Sequence, residues 1–268
     1  MLAREFLAGQ AAQNILYTEA TFSAYTHYLL NGIHFRDSMA ALNRAAQWAA
    51  ATLGTRVGWV IDIVRDMDGG DESVMIADWA IQGRDLGVVA LGLGGYEVGN
   101  PPEKHVKAFE RAREAGLPSV PHAGENEGPS SIWGALRALD AQRIGHGVRC
   151  LEDPALVAEL RSRQIPLEVC PTSNICLGVF RTIEEHPLPR LMAEGLYVTL
   201  NSDDPPMFNT SLTGEYLKVA HTFGWGASEL DALVRSAAGA TLLAEDDRAA
   251  LQSRIAGETK LLHAIHLA

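Results

Sequence analysis

Seven short apolar runs recur along the chain, separated by longer segments in which apolar residues are spaced three and four apart. The runs predict buried β-strands, and the spacing in the longer segments predicts helices. Strands are expected at residues 14–22, 56–64, 87–95, 118–124, 142–147, 165–173 and 196–204. Helices are expected at residues 37–52, 103–115, 153–163, 183–194, 211–223, 227–240 and 245–256.

The alternation of strands with helices indicates parallel strands, either in an open doubly wound sheet or in a (β/α) barrel. The first strand-to-helix turn has no Gly-x-Gly-x-x-Gly pattern, which argues against the nucleotide-binding open sheet. We interpret the Gly-rich run at residues 91–99 as a strand end where a ligand approaches the backbone closely. The sequence therefore predicts an α/β fold of the (β/α) TIM-type barrel class, with residues 1–268 as a single domain.

The composition limits the class of ligand and the compartment. A formal net charge of −11 and the lack of a Lys/Arg run argue against nucleic-acid partners and anionic membrane surfaces, so we expect a small-molecule substrate. The three cysteines are too few and too irregularly spaced for a disulfide framework, and the chain has no export signal or long apolar span. These features predict a cytoplasmic protein.

Polar side chains follow five of the predicted strands, at the ends where barrel enzymes place their active sites. A hydrophobic core would exclude such groups, and their recurrence in register indicates one site. The residues are Glu97, His122 and Glu125, His146, the Thr172–Ser173–Asn174 run, and the run of Asn201, Ser202, Asp203 and Asp204.

Metal-assisted hydrolysis suits these side-chain types. The imidazole of His122 and the carboxylate of Asp203 are ligands that zinc accepts, and a bound ion lowers the pKa of its water toward ~7. His146 could hold that water or take its proton, and Glu125 is placed to transfer a proton to a leaving group or ring nitrogen. Because neighbouring strand residues point in opposite directions, we expect one of Asp203 and Asp204 to face the metal and the other the substrate or the water.

Four motifs, taken in chain order, resemble those of a known family. They are PHAGE at residues 121–125, RIGHG at 143–147, LEVCPTSN at 167–174 and VTLNSDDPPMF at 198–208. The family is the adenosine and adenine deaminase branch of the amidohydrolase superfamily, and the resemblance covers the chain from about Glu5 onward. It implies a (β/α)8 barrel ancestry and a metal-dependent hydrolase that deaminates a 6-aminopurine with a zinc-activated water.

The resemblance also implies a role for individual residues. His122 resembles the family's zinc-ligating histidine, and Asp203 resembles its zinc-ligating aspartate. Glu125 resembles the acid that protonates purine N1. His146 resembles the partner of the hydrolytic water.

Two further residues match positions that contact the substrate in the family. Asp204 resembles the acceptor that faces purine N7, and Gly95 resembles the backbone contact to the purine ring. The segment GLGGYEVGNPPE at residues 92–103 is more similar to adenine and aminodeoxyfutalosine deaminases than to the rest of the branch.

One departure from the family pattern is the lack of a His-x-His pair, which in the family lies on the first strand and supplies two zinc ligands. We therefore expect a barrel N-terminally truncated to about seven parallel strands. Its zinc is expected to bind more weakly through His122 and Asp203, with His146 or a water completing the shell. The strands at residues 14–22 and 196–204 are then expected to be open edges that a homodimer, another oligomer or a rearranged terminal element covers.

Three hypotheses remain open at this point. The first is a metal-dependent hydrolase acting on a 6-aminopurine or, with an altered site, on an ester, phosphoester or phosphotriester. The second is metal-free hydrolysis with Cys170 or Cys176 as a nucleophile beside His146. The third is a non-catalytic remnant or a truncated reading frame.

Overall fold

The computed structural model describes residues 1–266, and each of the seven predicted strands is present. Several strands are shorter at their ends than the apolar runs suggest. Their bounds are β1 (Tyr17–Phe22), β2 (Arg56–Val64), β3 (Val88–Gly94), β4 (Ser119–Ala123), β5 (Ile144–His146), β6 (Leu167–Val169) and β7 (Val198–Leu200).

The described chain divides into two compact units. The first comprises Met1–Ala123 and Ser130–Gln142, and the second comprises Gly124–Pro129 and the chain from Arg143 onward. In the first unit β1 pairs with β2, β2 with β3 and β3 with β4, while in the second unit β5 pairs with β6 and β6 with β7. All of these pairs are parallel, as the sequence predicts. A single domain over residues 1–268 stays a prediction.

Helices follow the strands along the described chain, with short 3₁₀ helices at Arg84–Leu86, Pro102–His105 and Val148–Glu152. None of the described helices combines the length and apolar character needed to cross a membrane. Their bounds are α1 (Leu2–Ala12), α2 (Ala24–Asn31), α3 (Phe35–Leu53), α4 (Asp71–Gln82), α5 (Val106–Glu114), α6 (Pro129–Ala138), α7 (Pro154–Arg163), α8 (Pro171–Cys176), α9 (Leu188–Ala193), α10 (Pro205–Phe208), α11 (Leu212–Phe223), α12 (Ala227–Ala240) and α13 (Glu245–His266).

Two sequence expectations are wrong in ways that shape the site. The strand expected at residues 165–173 ends at Val169, because Pro171 has no N–H for a sheet and its fixed φ suits the first turn of α8. The helix expected at residues 183–194 begins only at Leu188, since Pro187 disfavours helical geometry in the residue before it. The first correction places the helix α8 directly after β6, and the second leaves residues 183–187 as irregular backbone before α9.

The core of the first unit is built on the central strands β2 and β3. Ile61, Ile63, Leu91 and Leu93 are fully buried and belong to one hydrophobic cluster with residues of α4 and α5. Parallel strands that are buried on both faces are expected to be apolar almost throughout, which explains why these runs do not alternate.

The second unit has a smaller core in which each strand contributes buried aliphatic side chains. Leu167 of β6 and Val198 of β7 are almost completely buried, as is Leu156 of α7. The hydroxyl of Tyr197 donates a hydrogen bond to the carbonyl of Ser236 in α12, which ties that helix to β7. This packing fixes the strand ends from which the polar residues extend.

Gly147, directly after β5, adopts a left-handed conformation with φ of 65°. A Cβ atom at this position would lie 2.7 Å from Cδ2 of the buried Leu167, closer than any normal contact. We predict that Gly147→Ala lowers the free energy of unfolding by about 1–3 kcal/mol more than a control substitution that lacks this contact.

Gly178→Ala is the matched control, because Gly178 has φ of 73° and no atom within 4 Å of its Cβ position. Both variants share the cost of a left-handed alanine, so urea denaturation of the pair isolates the contact with Leu167. Equal destabilisation by the two substitutions would contradict the prediction.

Candidate active site

Polar residues of the second unit meet in one cluster at the end of β5 and in the segments that follow β4, β6 and β7. We call Glu125, His146, Ser173, Asn174 and Asp203 the polar cluster. The amide Nδ2 of Asn174 donates to Glu125 Oε1 over 3.1 Å and lies 3.3 Å from His146 Nδ1. The hydroxyl of Ser173 donates to Asp203 Oδ2 over 2.6 Å.

His146 is the centre of the cluster, since each ring nitrogen faces a carboxylate. Its Nδ1 lies 3.5 Å from Glu125 Oε1, and its Nε2 lies 3.9 Å from Asp203 Oδ2. The side chain of His146 is 3% exposed, whereas those of Glu125 and Asp203 are 14% and 20% exposed. The carboxylates can therefore reach a substrate from solvent while the imidazole is held beneath them.

The backbone is strained at two of these residues. His146 and Asp203 have φ of 63° and 54°, in the left-handed region that costs an L-residue about 1–2 kcal/mol. Such conformations persist where the surrounding contacts hold them, and they are frequent at functional sites. The expectation that Asp203 and Asp204 alternate along a strand is wrong, because β7 ends at Leu200 and Asp204 directly precedes α10.

The first turn of α8 is held by Glu215 of α11, which the sequence analysis did not single out. Glu215 is fully buried, and its Oε2 accepts a hydrogen bond of 3.0 Å from the backbone N–H of Thr172. The hydroxyl of Thr210 bonds to its Oε1, and the ammonium of Lys218 lies 3.8 Å away. The sequence does contain a signal that Glu215 is buried: it lies four residues before Val219, on the same, apolar face of α11.

Cys170 lies beside the polar cluster. The Sγ atom of Cys170, a ring nitrogen of His146 and a carboxylate oxygen of Asp203 all lie within 4.8 Å of one another, so the three side chains form a group that could bind a metal. Burial, followed by the negative charges of Asp203 and Glu168, raises the pKa of the thiol well above its ordinary value. The thiol donates to the carbonyl of Glu168, so Cys170 is a protonated side chain and a poor nucleophile.

In the first unit, His122 lies at the end of β4. Its Nδ1 lies 3.0 Å from the carbonyl oxygen of Leu93, which can only accept, so Nδ1 carries the proton and the lone pair is on Nε2. The buried guanidinium of Arg65 binds the carbonyl oxygens of His122 and, over 3.1 Å, of Asn100. Burial lowers the pKa of Arg65, and the charge of Glu97 partly offsets this effect.

Gly95 follows β3 in the first unit with φ of 100°, a conformation that favours glycine. A Cβ atom there would lie 3.2 Å from Asp66 Oδ1 and 3.3 Å from the backbone nitrogen of Arg65. The backbone at Gly95 is therefore approached closely by protein atoms, and the approach of a ligand to this strand end stays a prediction.

The sequence and the structure were compared with those of known proteins, and the matches identify the enzyme class and the family of this chain. The family model described as Adenosine deaminase matches residues 1–258. The chain is a hydrolase of the amidohydrolase superfamily. It belongs to the adenosine deaminase family, whose enzymes are metal-dependent.

Three similar proteins illustrate this relationship. The aminodeoxyfutalosine deaminase of Streptomyces avermitilis is 40% identical over 271 residues, which cover 100% of this chain and 74% of that protein. The structure of adenine deaminase from Arthrobacter aurescens matches with a TM-score of 0.91 and 29% identity, over 97% of this chain and 78% of that one. An amidohydrolase from Burkholderia ambifaria with bound Zn matches with a TM-score of 0.92 and 27% identity, over 98% and 73% of the two chains. The resemblance and the (β/α) fold class predicted from sequence are confirmed.

We predict that removing the buried carboxylate of Glu215 loosens α8. Glu215→Ala leaves the Thr172 N–H without its acceptor and opens a cavity, so the free energy of unfolding should fall by about 2–4 kcal/mol. Urea denaturation followed by far-UV circular dichroism measures the loss.

Glu229→Ala serves as the control, because Glu229 also accepts a single backbone N–H, that of Gly226, but does so at the exposed start of α12. We expect a loss of only about 0.5–1 kcal/mol there. A loss from Glu215→Ala as small as that of the control would show that the buried contact does not stabilise α8.

The buried His186 makes stability depend on pH. Burial, followed by the charge of His146, lowers its pKa from 6.5 to about 4. As the pH falls below 6.5, His186 becomes protonated in the unfolded chain, whereas in the folded chain it stays neutral until the pH is near 4. The contribution of neutral His186 to the free energy of unfolding is therefore complete above pH 6.5 and is lost as the pH falls from 6.5 to about 4. We predict a loss of about 3 kcal/mol from this residue.

Denaturation of the wild type and of His186→Gln at neutral and acidic pH measures this contribution by difference. The variant has no ring to protonate, so its stability should fall less on acidification than that of the wild type. Parallel pH profiles for the two proteins would contradict the prediction.

Proposed function

We propose that this chain deaminates a 6-aminopurine by hydrolysis, with water as the nucleophile and a divalent metal, zinc, as its cofactor. The observation that supports this proposal most strongly is the polar cluster, in which the imidazole of His146 lies between the carboxyl groups of Glu125 and Asp203. Water adds to C6 of the purine and ammonia leaves, so the products are a 6-oxopurine and ammonia.

As metal ligands we propose His122 and Asp203, and each is suited to the role within its own unit. The carbonyl of Leu93 binds Nδ1 of His122 and orients the ring, so Nε2 is the nitrogen that we propose as the metal donor. The carboxylate of Asp203 is oriented by the hydroxyl of Ser173. A bound zinc ion supplies a water whose pKa is lowered toward ~7.

We propose that His146 holds the nucleophilic water. Its Nε2 and Asp203 Oδ2 lie 3.9 Å apart, a separation at which one water oxygen can contact both atoms. Because the imidazole is buried and contacts the amide of Asn174, it cannot turn away from this position without losing that contact. The water is thereby oriented toward the face of the purine.

Glu125 is proposed as the acid that protonates the ring nitrogen next to C6. Addition of water to C6 places negative charge on that nitrogen, and a proton delivered there neutralises it. Asn174 fixes Oε1 of Glu125 by a hydrogen bond of 3.1 Å, so the carboxyl group has a defined direction. Gly95 and Asp204 are proposed as contacts to the purine ring, at its edge and at N7.

The structure does not favour the cysteine hypothesis. Cys170 is 5% exposed, and its pKa is raised by burial and by surrounding carboxylates, which keeps it in the unreactive thiol form. Cys176 is exposed at the end of α8. The homodimer and the cytoplasmic location remain proposals based on the sequence.

The proposal predicts chelator-sensitive release of ammonia. Purified protein is assayed for metal by elemental analysis and for ammonia release from adenine, adenosine and aminodeoxyfutalosine, before and after chelation. Glu125→Gln should lower kcat by about 10²–10⁴-fold because the ring nitrogen loses its acid. Asp203→Asn should lower both metal content and turnover.

Glu159→Gln is the control, since Glu159 lies on the surface of α7, where its side chain is 40% exposed. It should retain wild-type turnover and metal content. Full activity of Glu125→Gln, or ammonia release that withstands complete metal removal, would disprove the proposed mechanism.

A further inference from the structure

We propose that His186 is a positioning residue that orients the amide of Asn174 and thereby places the proton of His146 on Nε2. This inference rests on the proposed function, because the residue it acts on is the one proposed to hold the water. His186 lies in the irregular segment before α9 and is 3% exposed.

The direction of the hydrogen bonds at His186 follows from its neighbours. Its Nδ1 lies 3.1 Å from the backbone N–H of Leu188, which can only donate, so Nδ1 carries no proton. In the neutral ring the proton is then on Nε2, which lies 3.2 Å from Asn174 Oδ1. Burial lowers the pKa of His186 to about 4, so the ring is neutral at physiological pH.

The local sequence explains why Leu188 supplies this donor. Pro187 follows His186 directly and has no N–H, so the first backbone donor after the ring is that of Leu188. The ring of Phe180 packs edge-on against the imidazole with ring centroids 5.0 Å apart. Both contacts restrict rotation of the ring.

The orientation of Asn174 follows in turn. Because Nε2–H of His186 donates to Oδ1, the NH₂ group must face the opposite side, where it lies 3.1 Å from Glu125 Oε1 and 3.3 Å from His146 Nδ1. Asn174 is completely buried, so no solvent replaces a lost partner. The two hydrogens of the Asn174 amide can therefore be donated to these two acceptors, one to Glu125 Oε1 and one to His146 Nδ1.

The tautomer of His146 is the result. With its Nδ1 accepting from the amide of Asn174, the neutral ring carries its proton on Nε2, on the side of Asp203. His146 then donates a hydrogen bond to the water oxygen. A reversed amide would place Oδ1 of Asn174 against the carboxylate of Glu125 and would favour a proton on Nδ1 of His146 instead.

The test reads the tautomer directly by ¹⁵N NMR of the imidazole nitrogens in the full-length protein. The signals of His146 are assigned by their loss in His146→Gln. We expect the wild type to show the Nε2–H tautomer in the neutral ring. His186→Leu, which removes the donor to Asn174, should lose this tautomer in favour of Nδ1–H.

His186→Gln is the conservative variant, because a glutamine amide can donate to Asn174 and accept from Leu188. It should restore the Nε2–H tautomer. His105→Leu is the structural control: His105 is a fully buried histidine of the first unit, bonded to Ser73 and the carbonyl of Arg65. It should cost stability and leave the His146 signals unchanged.

In kinetics, His186→Leu should lower kcat by about 10–100-fold, the usual effect of losing an orienting partner. KM should change little, because His186 contacts no substrate. His186→Gln should recover most of kcat.

An Nδ1–H tautomer in the wild type would overturn the inference whether or not the variants fold. So would an unchanged Nε2–H tautomer in folded His186→Leu. The NMR readout needs no turnover, so a wild type with the expected tautomer and no ammonia release would disprove the proposed function and leave the positioning role supported.

Discussion

The arrangement of the polar cluster depends on one buried hydrogen bond, from the backbone N–H of Thr172 to the carboxylate of Glu215. The first N–H groups of a helix have no partner within it, and a buried helix start without an acceptor is unstable. Glu215 supplies that acceptor from α11, across 43 residues of sequence. Ser173 and Asn174 are the next two residues of the same turn, so their side chains are directed by the backbone that Glu215 holds.

Backbone strain and side-chain hydrogen bonds act together around this turn. His146 at the end of β5 and Asp203, three residues after β7, have left-handed conformations, so their side chains do not follow the alternation of a strand. Asn174 contacts His146 and Ser173 contacts Asp203, so each strained residue is bound by a neighbour on α8. A site held in this way needs little rearrangement when a charged transition state forms.

The strands and the (β/α) fold class could be predicted from the sequence, and so could the residues that meet in the polar cluster. Apolar runs identified all seven strands, and polar residues at their ends identified Glu125, His146 and Asp203. Glu215 and His186 could not be found in the same way, because each lies inside a segment interpreted as an ordinary helix. Their roles depend on contacts with α8, a helix that the sequence analysis had assigned to the end of a strand.

The same limit applies to the conformation of individual residues. The pattern placed Asp203 on a strand, where alternation would decide its direction. The structure ends the strand at Leu200 and gives Asp203 a positive φ instead. Aspartate is one of the residues that adopt this region more often than most, but propensity does not say which aspartate will do so; at Asp203 the hydroxyl of Ser173 binds the side chain in this conformation.

Electrostatics explain why this cluster suits a cation. The pKa of the Cys170 thiol is raised by burial and then by the charges of four carboxylates, those of Asp203, Glu168, Glu125 and Glu215. Glu168 and Glu215 form ion pairs, with Arg143 over 2.8 Å and with Lys218 over 3.8 Å, whereas Glu125 and Asp203 face the buried imidazole of His146. Carboxylates gathered in a poorly solvated site repel one another, and a divalent cation bound at Asp203 reduces that repulsion. The carboxylates of Glu125 and Asp203 beside His146 therefore support the proposed metal at Asp203 on grounds that do not depend on a sequence motif.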